Sequence, residues 1–226
     1  MANLQPVPTN NVTGSGSITV TLTGNTITVH ETVSGLLDGV PHAQHIHIKD
    51  SGAAACPTQA DAKDHNGHLS INTTDGMAKY GMPQISLTTS GDTSSNSALA
   101  VDRMPTGASF TYDRTITISA DEAQAIRDGR AAVVVHGIDY NGNGKWDDVL
   151  GPSDLDPKLP AEATDPALCG VLVASQMNTV PSGGAATGGG STAGLEDVGL
   201  IGLGAALVVA GGLGLGFATR RRHVTE

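Results

Sequence analysis

The sequence predicts a mainly β domain, an antiparallel sandwich or barrel with one short helix, followed by a C-terminal membrane-spanning helix. Three features predict it. Several short runs alternate apolar and polar residues with period two. Gly, Pro, Asn and Asp turn signals separate most of those runs. One uncharged apolar stretch stands apart near the C-terminus.

Residues 1–13 precede the first alternating run and are expected to be flexible. Ser17-Ile18-Thr19-Val20-Thr21-Leu22 and Thr26-Ile27-Thr28-Val29-His30 alternate on either side of Gly24-Asn25. That pattern predicts a β-hairpin. Further strands are expected at Ala43–Ile48, Gln84–Thr88, Ala98–Val101, Ser109–Ser119, Ala131–His136 and Cys169–Ala174. Gly91-Asp92, Pro105-Thr106-Gly107 and Asn141–Gly144 supply turns between them. The one helix is expected from Asp121 to Asp128, with Ser119 near its start and Gly129 at its end. Short strands with regular turn signals favour a sandwich or barrel, assigned to residues 14–177.

Residues 178–195 are nearly all Gly, Ala, Ser and Thr and predict a flexible spacer. Residues 196–219 contain VGLIGLGAALVVAGGLGLGFAT, long enough to cross a bilayer as a helix. Arg220, Arg221 and Arg222 follow at once, so residues 220–226 are expected as a basic cytoplasmic tail. The main domain then lies outside a cell membrane crossed once. The alternative is a tail-anchored cytosolic protein, against which the arginines on the short C-terminal side argue. MANLQPVPTNN has no basic start and no apolar core of a secretory signal. Export is therefore expected either from a start other than this one or by another route.

The formal net charge is −10. An acidic chain without a basic stripe repels nucleic acid, so no nucleic-acid partner is expected. The only two cysteines are Cys56 and Cys169. In a cytosolic protein such a pair usually stays as buried thiols; in an exported one it is more often a disulfide. No Gly-x-Ser-x-Gly elbow or His-Glu-x-x-His motif is present, which argues against a hydrolase.

Histidines carry the strongest chemical signal. His45 and His47 form His-Ile-His within an expected strand. Period two places both rings on one face, with Ile46 and Ile48 on the other. Two such imidazoles can bind one metal without bending the backbone, although many strands carry exposed histidine pairs. His136 ends the apolar run Ala131–Val135, where a histidine is more often structural. His65 and His68 sit in a polar loop, Asp64-His65-Asn66-Gly67-His68. His30 and His42 fit no pattern.

The string Gly39-Val40-Pro41-His42-Ala43-Gln44-His45-Ile46-His47 resembles the copper-binding strand of the copper/zinc superoxide dismutase family. Cys56 follows His47 at the interval of that family's bridging cysteine. Val133-Val134-Val135-His136 resembles the strand carrying the last copper histidine. Ala167-Leu168-Cys169-Gly170-Val171-Leu172-Val173-Ala174 resembles the C-terminal strand with the second cysteine. The likeness spans about residues 14–176. It implies a Greek-key β-sandwich or barrel, a Cys56–Cys169 disulfide, and copper held by His45, His47 and His136. It also implies a further ligand and proton carrier, for which His68 is the better match and His65 the rival. The implied activity is conversion of superoxide to oxygen and hydrogen peroxide.

The zinc side departs from the family. Tyr80, before Gly81-Met82-Pro83, and Thr89, before Ser90-Gly91-Asp92, stand where zinc histidines are expected, and both are poor zinc ligands. Of that set only Asp92 remains as a candidate ligand. The resemblance is therefore to a copper-only branch, with the zinc site lost. Pro166 stands where the family carries an anion-guiding arginine, which weakens the expectation of superoxide steering.

Asp139-Tyr140-Asn141-Gly142-Asn143-Gly144-Lys145-Trp146-Asp147-Asp148 matches the first part of a calcium loop, with Asp139, Asn141, Asn143 and Asp147 as oxygen ligands. Leu150 replaces the closing glutamate, so the competing reading is a tight Asn-Gly turn with solvated acids. Two functional alternatives stand beside the enzyme: a non-catalytic module of the CHRD type, and a copper storage or delivery protein.

Overall fold

The computed structural model describes residues 1–173, which lie in one structural unit. The expected spacer, membrane helix and basic tail lie outside the described residues. Among the described residues, no helix is long and apolar enough to cross a membrane.

The domain is mainly β. Strands β1 (Ala2–Pro6), β2 (Ser15–Thr23), β3 (Thr26–Ser34) and β4 (Gln44–Ile48) come first. A small hairpin follows, β5 (Lys63–His65) and β6 (His68–Ser70), then helix α1 (Thr73–Tyr80) and β7 (Met82–Ser86). The chain continues through β8 (Ser109–Thr117), α2 (Ala120–Arg127), β9 (Ala131–His136), α3 (Ala161–Thr164) and β10 (Pro166–Val171). Eight strands form one sheet in the order β7-β4-β9-β10-β1-β2-β3-β8, and β5-β6 stand apart. The large sheet is antiparallel and strongly curled into a half-barrel.

Side-chain alternation places the core on one face of the curled sheet. Along β3, Ile27, Val29, Glu31 and Val33 are buried, while Thr28, His30, Thr32 and Ser34 are exposed. The inward residues join Leu4, Ile18, Ile46, Val133, Val135 and Leu168 in one core. Strand β9 is buried along its whole length. Its Ala131, Val133 and Val135 face that core, while Ala132 and Val134 join a second cluster with Val7, Ile71, Tyr80 and Cys169. A strand covered on both faces reads as a continuous apolar run, which is the Ala-Ala-Val-Val-Val segment.

Several expectations differ from the fold. Residues 1–13 are not a free end: Ala2–Pro6 is an interior strand between β10 and β2, with Leu4 fully buried. Its backbone hydrogen bonds to two neighbours hold it, although the segment is too short to signal a strand. Helix α2 falls where the helix was expected, opened by Ser119, whose side chain accepts from the Glu122 amide. Helices α1 and α3 are additional. Helix α1 is opened by a capping box between Asn72 and Asp75. Ala98–Val101 is not a strand; it runs from the end of a 3-10 turn at Ser95–Ser97 into the first residue of another at Val101–Arg103.

Cys56 and Cys169 form a disulfide with Cα atoms 5.7 Å apart. It ties the segment after β4 to β10, across a sequence separation of 113.

Candidate metal centre

The Ala43–His47 segment and the end of β9 build the site. Strand β4 pairs with β9 in the register His45↔Val134 and His47↔Ala132. Ile46 and Ile48 point into the main core, so His45 and His47 project to the opposite face. His136 alternates with Ala132 and Val134 and reaches that same face. One nitrogen from each of the three rings lies within 4.8 Å of the other two, and all three rings are buried. This is the expected convergence of His45, His47 and His136.

Each ring is oriented by a backbone carbonyl. His45 donates Nε2–H to Ala98 O at 2.9 Å, and His47 donates Nδ1–H to Gly81 O at 2.9 Å. His136 donates Nδ1–H to Thr164 O at 2.7 Å. A carbonyl oxygen only accepts, so these contacts fix the tautomers. The remaining nitrogens are His45 Nδ1, His47 Nε2 and His136 Nε2, all buried without a partner. Three bare lone pairs facing one region repel each other and cost about 1–3 kcal/mol apiece when nothing answers them. A cation answers all three. Burial also keeps the rings neutral and ready to ligate. It holds His47 down to about 3 and His136 down to about 4, and it pushes His45 well below the usual histidine range.

Supporting residues surround the ligands. Tyr80 is fully buried and packs edge-on against His47, with ring centres 4.6 Å apart, while its hydroxyl donates to Thr73 O. The position expected as a lost zinc ligand thus braces His47, one of the three gathered histidines. His42 is also fully buried, with Nδ1 2.9 Å from His136 O and Nε2 2.9 Å from Leu37 O. It fits against Gly137, whose φ of +96° and lack of a Cβ leave room for the ring. His42 fits no sequence pattern; its only signal is its position three residues before His45.

Other expected site residues lie elsewhere. His68 is not among the three gathered histidines; it sits on β6 and packs against Tyr140, ring centres 5.4 Å apart. His65, its rival, bonds Asp75 Oδ2 at 2.7 Å. The tight Asn66-Gly67 turn pairs His65 with His68 and sends both rings to these partners instead. Asp92 accepts from Ser94 and Ser97 hydroxyls and organises the 89–103 loop. Thr89 donates its hydroxyl to Arg103 O.

In the Asp139–Asp148 loop, the Asp139 carboxylate accepts the amides of Asn143 and Gly144. Asn141 and Asn143 both donate to Asp147, and buried Glu162 accepts the amides of Tyr140 and Asp147. The oxygens expected for calcium are engaged within the loop, and no acidic group there clusters as a metal site among the described residues.

A scan against protein-family models gave no match, and neither did a search of curated proteins.

Proposed function

We propose that this is a copper protein of the superoxide dismutase-like type, in its copper-only form, anchored at a cell surface with the β domain outside. The carrying observation is the trio of buried, unpartnered nitrogens on His45, His47 and His136. Three neutral imidazoles with their second nitrogens locked by carbonyls suit copper in both oxidation states, and zinc also tolerates such a set. The strand order supports the Greek-key reading: β4 leaves β3 for the far side of the sheet, and β8 returns to lie beside β3. The disulfide supports export. The anchor rests on the apolar run and arginines of the sequence.

Copper held here would supply one-electron chemistry, with superoxide the substrate that the resemblance implies. The protein's own part is to fix three tautomers, exclude bulk water from the ligands and leave one side of the metal open. A second reading is a copper-binding module without superoxide turnover, whether a CHRD-like domain or a storage protein. Two observations favour it: His68 is absent from the histidine group, and no Lys or Arg lines the cavity over it.

The test is to load the full chain with copper, confirm the metal content, and measure superoxide decay. Turnover that needs the loaded metal supports the enzyme. Stoichiometric copper without turnover leaves the binding module.

A further inference from the structure

The three histidines form part of the floor of a cavity of about 300 Å³, at the small end of organic-ligand pockets. Its wall is built from Met77, Met82, Leu99, Val101, Leu155 and Leu159. No Asp, Glu, Lys or Arg lines it. Among the described residues, seven large hydrophobic side chains are exposed, and four of them, Met82, Leu99, Val101 and Leu155, stand on this wall. They come from β7, the loop before β8 and the loop before α3, so no single apolar run explains their gathering. Scattered exposed hydrophobics need no account; a ring of them around one cavity marks a binding site. Trp146 also lines the cavity, and its indole N–H is buried without an acceptor.

We propose that this cavity binds a neutral, mainly apolar organic molecule bearing one lone-pair donor atom. The body lies against the Met/Leu/Val wall and the donor takes the open coordination position over His45, His47 and His136. Away from the three histidines the wall offers an ion no countercharge, so the part of a ligand that lies against it is uncharged. The indole N–H offers a polar handle of the kind tryptophan supplies in apolar sites. The coordination half of this inference rests on the metal reading above; the apolar half rests on the wall alone.

The test compares imidazole with phenylimidazole on the copper-loaded full chain, kept free of detergent and followed by visible and electron paramagnetic spectra. Both offer the same donor, so the difference reports the wall. Phenylimidazole is expected to bind at least about tenfold tighter. The double variant Leu99→Asp, Leu155→Asp is expected to lose that preference while keeping its copper and its imidazole affinity. Equal affinities for the two ligands in the unaltered chain would overturn the inference, and so would a preference that survives the double variant. Nile red is the probe for the metal-free chain, where the fluorescence lost in the same variant reports the wall apart from the apolar C-terminal segment. Dye binding without copper uptake would sink the metal reading and the coordination half together, leaving the apolar site. Copper uptake without a phenyl preference would keep the metal reading and sink the apolar site. Dye binding that vanishes as the chain self-associates would assign the wall to a second copy of the chain.

Discussion

The carbonyl oxygen of Gly81 lies 2.9 Å from Nδ1 of His47, and position 81 admits glycine alone. Gly81 has φ of +86°, and a Cβ there would come within van der Waals overlap of the Ile48 carbonyl. The residue that closes α1 therefore also sets the tautomer of one of the three gathered histidines. Gly81→Ala is expected to destabilise the fold by about 1–3 kcal/mol. It should also weaken copper binding by roughly 10–100-fold, the range for a lost ligand-orienting contact. Thermal unfolding and copper titration of the same variant check both effects.

His68→Ala separates the structure from the family pattern. His68 packs on Tyr140, away from the gathered histidines. The variant is expected to keep its full copper content, whereas His136→Ala is expected to lose it. Metal analysis after gel filtration decides this; loss of copper in the His68 variant would return that residue to the site.

Glu31 gives the chain a pH dependence. Its side chain points into the core from β3 with no exposure, and burial pushes its carboxyl up to about 8, with Gln44 offsetting this in part. In the folded state the group stays protonated up to about 8, while in the unfolded chain it ionises near the ordinary carboxylate value. Stability from this group is full at low pH and falls as pH rises between those two limits, at about 1.4 kcal/mol per pH unit. Glu31→Gln removes the loss. The variant should match the unaltered chain near pH 4 and exceed it by a few kcal/mol at pH 8, read by denaturant unfolding at both pH values.

The Cys56–Cys169 bridge spans 113 residues of sequence. Cys56→Ser with Cys169→Ser is expected to cost about 3–5 kcal/mol through the freed unfolded chain. A chemical-denaturation curve of the metal-free double variant measures it, and an unchanged midpoint would mean the bridge constrains nothing.

The sequence made the site more legible than its surroundings. Period two placed His45 and His47 together, because a strand leaves a side chain no choice but one face or the other. His136 needed the β4–β9 register, which is a tertiary fact, and only the family likeness pointed to it. The same likeness names His68, which the structure does not bring to the other three, because the turn at Asn66-Gly67 lies outside the large sheet and obeys local geometry. Helix α1 escaped notice because its stability comes from the Asn72–Asp75 cap and from Tyr80 packing into the core, not from apolar periodicity. Strand β1 escaped because its hydrogen bonds come from distant partners at residues 16–18 and 168–169. The apolar wall over the histidines is assembled from three separated segments, and no local pattern announces it.

The most direct measurement is an electron paramagnetic spectrum of the full chain given one equivalent of copper(II), with total copper measured after exhaustive washing. One bound copper per chain with nitrogen couplings from three imidazoles is the expected result, and it should vanish in the triple variant His45→Ala, His47→Ala, His136→Ala. A washed chain without copper, or a signal that survives the triple variant, would contradict the account.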